Sequence, residues 1–253
     1  MKRRILSLFL ILCLTLSLAA CGKKEPVADG SITIADVNAA VEEVFRRDAL
    51  SAKMDVELGM SIGPIPMSIP VKAEIKKDGD RSYTKASLSL LGQEVGAEVY
   101  TEGEWSYTVT GNQKYKLRTN LNEYDYADDL ANMIQALPND LQEKVSAVAN
   151  ADGSETLTAR IPVEKIHELF GEYAEGLEVT TGLGGASLSF KEATIVATLK
   201  DGQLSAYTLD IKVTASLNEV DTDLKVKATA TFDAPGTAVV ITPPEGYQTF
   251  KEI

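Results

Sequence analysis

Cysteine, histidine and tryptophan are nearly missing from this chain: 253 residues include two cysteines, one histidine and one tryptophan. Both cysteines, Cys13 and Cys21, fall at the N-terminus. The remainder therefore has no thiol for a disulfide, a thiolate nucleophile or a zinc site. Any Ser-His-Asp or Cys-His pair would have to use His167. Positive charge is also short, with 25 Lys+Arg against 37 Asp+Glu and a formal net charge of −12. Nucleic-acid binding needs Lys/Arg clusters to neutralise phosphates, and adhesion to anionic headgroups needs basic patches; this balance argues against both.

Apolar runs long enough to span a bilayer are absent as well. The longest, Ile5 to Leu18, is about 14 residues, the length of a signal-peptide core rather than of a membrane helix. It follows Lys2, Arg3 and Arg4 and ends in Leu18-Ala19-Ala20-Cys21. That ending resembles the lipobox of bacterial lipoprotein precursors. The resemblance implies removal of residues 1–20 and a diacylglyceryl thioether on Cys21, which becomes the mature N-terminus. An ordinary secretory signal with a chance cysteine is the alternative. Cleavage would leave 22 basic residues against 37 acidic ones, a formal charge of −15, so attachment would rest on acyl chains, each buried CH₂ contributing roughly 0.8 kcal/mol. The expected location is the extracytoplasmic face of the cell membrane.

Residues 21–30 read as the lipidated cysteine and a polar tether, broken by Pro26 and Gly30, and residues 31–253 as one domain. A helix is expected from about residue 34 to 50: Ser31 and Thr33 are candidate N-caps, and Ile34, Val37, Val41, Val44 and Phe45 recur at helical spacing. The period then changes to two. Met54, Val56, Leu58, Met60 and Ile62 alternate with polar residues, as do Met67, Ile69, Val71, Ala73 and Ile75. More strands are expected near 81–91, 94–102, 104–110 and 113–119, with turn chemistry at Asp78-Gly79, Glu102-Gly103 and Gly111-Asn112. Leu130, Ile134, Leu137, Leu141 and Val145 step at helical intervals, with Pro138 dividing two helices. After a strand near 154–161, Pro162 opens a further helix, and Gly182, Gly184 and Gly185 mark a loop.

Strands resume at about 188–200, 203–217 and 224–232, with Asp201-Gly202 as a hairpin turn and Val239-Val240-Ile241 as a terminal edge strand. The expected class is α+β: a large antiparallel sheet of ten or eleven strands curled into an unclosed half-barrel. An N-terminal helix and a mid-chain helical insert would cover its concave face. A sheet this large with one apolar face must hide that face by curling or by cover.

Two hairpins carry a family resemblance. Lys76-Lys77-Asp78-Gly79-Asp80-Arg81-Ser82-Tyr83 and Glu98-Val99-Tyr100-Thr101-Glu102-Gly103-Glu104-Trp105-Ser106-Tyr107 resemble hairpins of the LolA/LppX-like superfamily, which includes periplasmic lipoprotein carriers, mycobacterial surface lipoproteins and related lipoproteins of Gram-positive bacteria. With the lipobox and the strand–helix–strand order, the chain is similar to that superfamily over about residues 31 to 245. The resemblance implies an unclosed half-barrel whose concave apolar face holds acyl chains. It brings no catalytic signature and no cofactor. Shuttling carriers are usually soluble, so a tether points to local binding, hand-over or sensing.

The residues expected to line the cavity are Met54, Val56, Leu58, Met60, Met67, Ile69 and Val71, with Leu88, Leu209 and Ile211 opposite. Methionines here and at Met133 adapt to irregular apolar shapes, whether of a lipid or of a plain core. Enzymatic signatures fail on spacing. His167-Glu168 lacks the second histidine of a zinc helix. Ser82 and Lys85 have the S-x-x-K spacing, but in a strand such positions face opposite ways. Asp125, Asp128 and Asp129, and Asn218, Glu219, Asp221 and Asp223, are weak calcium candidates that solvated acidic surface also explains. Trp105, Tyr107 and Tyr100 read as a cavity rim or as cross-strand pairs. The expected function is non-enzymatic binding of a lipid or other hydrophobic ligand. The alternative is a sensor or protein-interaction module of the cell envelope with a self-filled core.

Overall fold

The computed structural model describes residues 30–62, 65–90, 93–118, 137–138, 141, 145–166, 169, 187–217 and 220–253. Helix α1 (Ile34–Arg46) leads into β1 (Ala49–Ile62), β2 (Ile65–Asp78), β3 (Arg81–Leu90), β4 (Gln93–Glu102), β5 (Trp105–Thr110) and β6 (Gln113–Arg118). After the mid-chain come β7 (Val145–Ala149), β8 (Glu155–Ile161), β9 (Ser187–Lys200), β10 (Gln203–Leu217), β11 (Val220–Phe232) and a two-residue β12 (Lys251–Glu252). All twelve strands join one sheet in the order β12-β6-β5-β4-β3-β2-β1-β11-β10-β9-β8-β7. Every neighbouring pair is antiparallel except β12 with β6, which is parallel. The end strands β12 and β7 do not pair, so the sheet is unclosed, an α+β half-barrel.

Two meanders, β1 to β6 and β7 to β11, are stitched together by β1 pairing with β11. Local chemistry sets the register. At Asp201-Gly202 both turn residues have positive φ, 54° and 76°, as a two-residue hairpin needs to match strand twist. The consequence is long straight register: Met54 lies between Ala73 and Ala230, and Val56 between Val71 and Ala228. Apolar residues therefore collect on one face, called the inner face here, and charged ones on the other.

Thr33 caps α1. Its hydroxyl accepts from the Asp36 amide at 3.3 Å, and the Asp36 carboxylate accepts from the Thr33 amide at 2.8 Å. This reciprocal box satisfies two otherwise orphaned donors. The stripe Ile34, Val37, Ala40, Val41 and Val44 is buried, and α1 rests on β9 and β10. Asn38 anchors the mid-chain: its amide donates to the Leu137 carbonyl at 2.9 Å and accepts from the Leu137 amide at 2.8 Å.

Three expectations are corrected. The helix ends at Arg46, and Leu50 belongs to β1. Val145 starts edge strand β7 rather than continuing a helix: Val145, Ala147 and Ala149 pair with Ala159, Leu157 and Glu155. Its apolar residues at spacing two outweigh the four-residue steps from Leu137 and Leu141. The Pro138 carbonyl accepts from the Leu141 amide at 3.2 Å, and the helices expected on either side of Pro138 fall largely outside the described residues. The segment Val239–Ile241 forms no strand. The final strand is instead Lys251–Glu252, beyond the prolines that cannot donate to a ladder. Pro162 does open a helical turn, accepting from Lys165 and Ile166 at 2.9 and 3.1 Å. No helix among the described residues is long and apolar enough to cross a membrane.

Candidate functional site

One row of residues across the inner face shows where the sheet is filled and where it is not. From β8 to β4, Ala159, Ile195, Leu209, Ala228, Val56, Val71, Leu88 and Val95 are successive Cα partners. Exposure is 0% at Ala159, 1% at Ile195 and 9% at Leu209 and Ala228. Val56 and Val71 are half-buried, Leu88 is 36% exposed and Val95 54%. The buried end is the part beneath α1. Beyond β11, the apolar face emerges progressively into solvent.

All ten expected cavity residues share this face by strand alternation and register. Met60 partners Met67, Leu58 partners Ile69, and Val56 partners Val71, which partners Leu88. Leu209 and Ile211 reach the same rows through Ala228 and Val226 of β11. Their surroundings divide them. Met54, Val56, Leu58, Met60, Met67, Ile69 and Val71 are half-buried, and Leu88 is exposed. Leu209 and Ile211, at 9% and 7% exposure, belong to the core under α1 together with Phe190 and Val213. The half-exposed patch on β1, β2 and β3 is the candidate site. Its chemistry is hydrocarbon and thioether, suited to an apolar ligand of irregular shape.

Other sequence candidates do not gather. Ser82 and Lys85 of β3 project from opposite faces, and Lys85 pairs with Glu98 at 2.8 Å. Asp221 and Asp223 are occupied by Ser216 and Thr214 hydroxyls at 2.5 and 2.8 Å. Cys21 with the signal segment, Asp125, Asp128, Asp129, Met133, His167, Gly182, Gly184, Gly185, Asn218 and Glu219 lie outside the described residues. Among the described residues, no three His, Cys, Asp or Glu side chains cluster as a metal site would require.

The aromatic residues form cross-strand pairs on the outer face. Tyr100 and Tyr107 are Cα partners with ring centroids 5.9 Å apart. Tyr247 meets both edge-on at 5.2 and 4.9 Å, and Phe250 closes on Tyr107. Burial, with help from Glu102, pushes the Tyr100 hydroxyl up to about 12. Tyr207 on the inner face is raised further by burial. Trp105 stands under the Lys116 ammonium, 4.4 Å from its ring centroid. The part played by Tyr247 and Phe250 escaped sequence reasoning; two aromatics just after Pro243-Pro244 were the available signal.

No family model and no curated protein matches this sequence. Among solved structures, the chain is similar to the ywiB protein of Bacillus subtilis, at 6% identity and a TM-score of 0.22, over 74% of this chain and 95% of that one. It is similar to a DUF1329 family protein of Desulfovibrio piger at 9% identity and a TM-score of 0.27, over 83% and 96%. A LolA superfamily protein of Nitrosomonas europaea stands at 8% identity and a TM-score of 0.26, over 83% and 99%. Likeness this low assigns no function.

Proposed function

We propose that the protein is a lipoprotein of the LolA/LppX-like, Gram-positive type, tethered through a lipid on Cys21 at the extracytoplasmic face of the membrane. In this reading it holds a lipid or other hydrophobic ligand against the inner face of β1, β2 and β3 and catalyses no reaction. The observation that supports ligand binding is the exposure gradient along one continuous apolar row, from 0% at Ala159 to 54% at Val95. A patch of this kind on a soluble domain marks a binding surface more often than a core. Its half-buried side chains offer apolar area that a ligand would remove from water at roughly 25 cal/mol per Å².

Mass spectrometry of an organic extract of the Cys21→Ser chain, purified without detergent, tests the binding. Stoichiometric lipid is expected, and Val71→Lys, folded by circular dichroism, should lose it. A folded wild-type chain that carries no lipid would reject this reading. The self-filled alternative, a sensor or protein-interaction module, draws on one observation, the burial of the inner-face residues Leu157, Ile195 and Tyr207 of β8, β9 and β10 on the part of the sheet where α1 rests. The intact mass of membrane-extracted chain tests the anchor: a free Cys21 thiol would refute it.

A further inference from the structure

From β3 to β6 every charged side chain projects from the outer face. The inner face there passes from carbon, at Leu88 and Val95, to hydroxyls, at Thr101, Ser106 and Thr108. We infer that this face holds an amphiphile in one orientation. Its hydrocarbon chain lies along Ala73, Ala86 and Ala97. Its uncharged headgroup, bearing hydroxyl and ester oxygens as an acylglycerol does, meets Thr108, with Thr101 and Ser106 behind it. The inference rests on the hydrophobic-ligand reading above and narrows its ligand to a neutral lipid.

The floor is a row of small side chains. Met54, Ala73, Ala86, Ala97 and Thr110 are successive Cα partners from β1 to β5, so all five project from the inner face. The rows beside it carry larger residues: Val71, Leu88 and Val95 on one side, Ile75, Val99 and Thr108 on the other. The three alanines therefore lie in a furrow between two walls. From β1 to β5 it crosses four strand spacings, about 19 Å at roughly 4.8 Å each. One wall is open, with Leu88 at 36% and Val95 at 54% exposure; the other is deep, with Ile75 at 9% and Thr108 at 8%. Met54 closes one end with a side chain that adapts to irregular apolar shapes. Exposed Thr110 marks the other.

The hydroxyls give the furrow a polar end. Five polar residues are buried among the described ones: Thr101, Ser106, Thr108, Ser154 and Thr214. The Ser154 hydroxyl donates to Asp152 at 2.7 Å and the Thr214 hydroxyl to Asp223 at 2.8 Å. Among the described residues no hydrogen bond engages the hydroxyls of Thr101, Ser106 or Thr108, although these residues are only 7%, 6% and 8% exposed. Thr101 and Ser106 are Cα partners, and Thr108 follows on the same face, in the wall of the furrow. A buried hydroxyl without a partner destabilises the free protein, and a bound oxygen that reaches it removes that cost. A hydroxyl both donates and accepts, which suits ester carbonyls and glycerol hydroxyls alike. An anionic head taken out of water would need a paired cation. Lys77 of β2, the cation opposite Ser82 on this face, is already engaged.

The test is equilibrium dialysis of the Cys21→Ser chain against three ligands of one chain length: monododecanoylglycerol, methyl dodecanoate and dodecanoate. The acylglycerol should bind about tenfold more tightly than the other two, the gain of one or two hydrogen bonds, although the methyl ester is the more hydrophobic. Its lead over dodecanoate should persist in about 0.5 M salt, where repulsion by a chain of net charge −12 is screened. Thr108→Val keeps the shape and removes the hydroxyl. It should erase most of the lead, leave methyl dodecanoate unchanged and keep or raise the melting temperature. Ala86→Leu, folded by circular dichroism, should weaken all three ligands several-fold by filling the furrow. A methyl ester, or dodecanoate at high salt, bound as tightly as the acylglycerol overturns the headgroup assignment and leaves hydrophobic binding standing. A lower melting temperature for Thr108→Val also overturns it, because the hydroxyl would then be bonded in the free protein. Unchanged binding to Ala86→Leu takes the chain out of the furrow and overturns the orientation. Failure of all three ligands to bind the Cys21→Ser chain removes this inference and the function it rests on together.

Discussion

Leu157 and Leu88 lie on the same face of the same sheet, at 0% and 36% exposure, so one substitution, Leu→Ala, reads out the packing at both ends. At Leu157, surrounded by Ala197 across the ladder and the core under α1, truncation removes fully buried carbon and leaves a void. The expected cost is about 3–4 kcal/mol, within the range for buried leucines. At Leu88 about a third of the side chain is already in water, and solvent can fill the vacated space, so no cavity term arises. Scaling the transfer cost of the lost carbons, roughly 0.8 kcal/mol each, by the buried fraction gives about 1–1.5 kcal/mol. Urea titration of both variants separates these values, since a domain of this size has a slope of about 2–3 kcal/mol per molar. The midpoint should fall by more than 1 M for Leu157→Ala and by about 0.5 M for Leu88→Ala. Binding of a hydrophobic ligand should reverse the order, with Leu88→Ala weakening it and Leu157→Ala leaving it unchanged. Equal stability losses near 3 kcal/mol would show that β3 packs as tightly as β8. The exposure gradient would then support no ligand.

Thr33→Ala removes the hydroxyl half of the capping box, leaving the Asp36 carboxylate on the amide of residue 33, and should cost about 1 kcal/mol by thermal or urea unfolding. Asp36, held below its ordinary value by the Thr33 hydroxyl and amide, stabilises the fold above the unfolded-state pKa near 4. That contribution is lost as pH falls through the depressed folded value, so the wild-type advantage over Thr33→Ala should narrow in acid. Tyr100 works in the opposite direction. Its folded pKa of about 12 exceeds the value of 10 for a free tyrosine, so its contribution is complete below pH 10 and lost as pH rises to 12. Tyr100→Phe should therefore flatten the alkaline loss in melting temperature between pH 9 and 11.5; an unchanged slope would assign that loss elsewhere. Gly30→Ala should detach the first described residue from β7, because a Cβ there would lie 2.8 Å from the Val148 amide nitrogen. Faster hydrogen exchange at the Gly30 position and a small drop in stability are expected.

Strand alternation made most of the sheet legible in the sequence because each strand has one wet and one dry face. Leu209, Ile211 and Val213 against Asp210 and Lys212 leave no other period available, and their register across β11 follows from it. What alternation could not show is how much of the dry face is covered. Val71 and Ile195 are both β-branched residues within alternating strands, yet one is half-exposed and the other is core. The difference comes from α1 lying on β9 and β10, a tertiary choice that no local pattern encodes. The same limit explains Val145: four-residue steps are compatible with a helix until a partner such as β8 offers its edge. At the C-terminus, Val239–Ile241 has strand composition, but the strand that forms is Lys251–Glu252, brought to β6 as Tyr247 and Phe250 settle on Tyr100 and Tyr107.

An unclosed sheet has two edges, and an exposed edge invites pairing with another copy. In this chain each edge is met by a short segment from outside the two meanders. The Ile253 amide donates to the Lys116 carbonyl at 3.1 Å, extending the short β12 along β6. At the other edge the Gly30 amide donates to the Ala147 carbonyl of β7 at 3.1 Å, and the Ser31 amide and hydroxyl both donate to Glu155, at 2.6 and 3.1 Å. Only a glycine approaches β7 this closely. If Cys21 carries the anchor, the nine residues before Gly30 reach at most about 30 Å, so the β7 edge would lie within that distance of the membrane and the half-exposed patch on β1 to β3 several strands further along the sheet. A ligand on that patch would then meet the medium rather than the bilayer. That geometry suits capture or hand-over at the cell surface better than extraction from the membrane beneath. A Cys21-anchored chain with the tether lengthened by a flexible insert before Gly30 should therefore keep its ligand occupancy. Loss of occupancy on lengthening would instead mean that the patch works only when held against the bilayer.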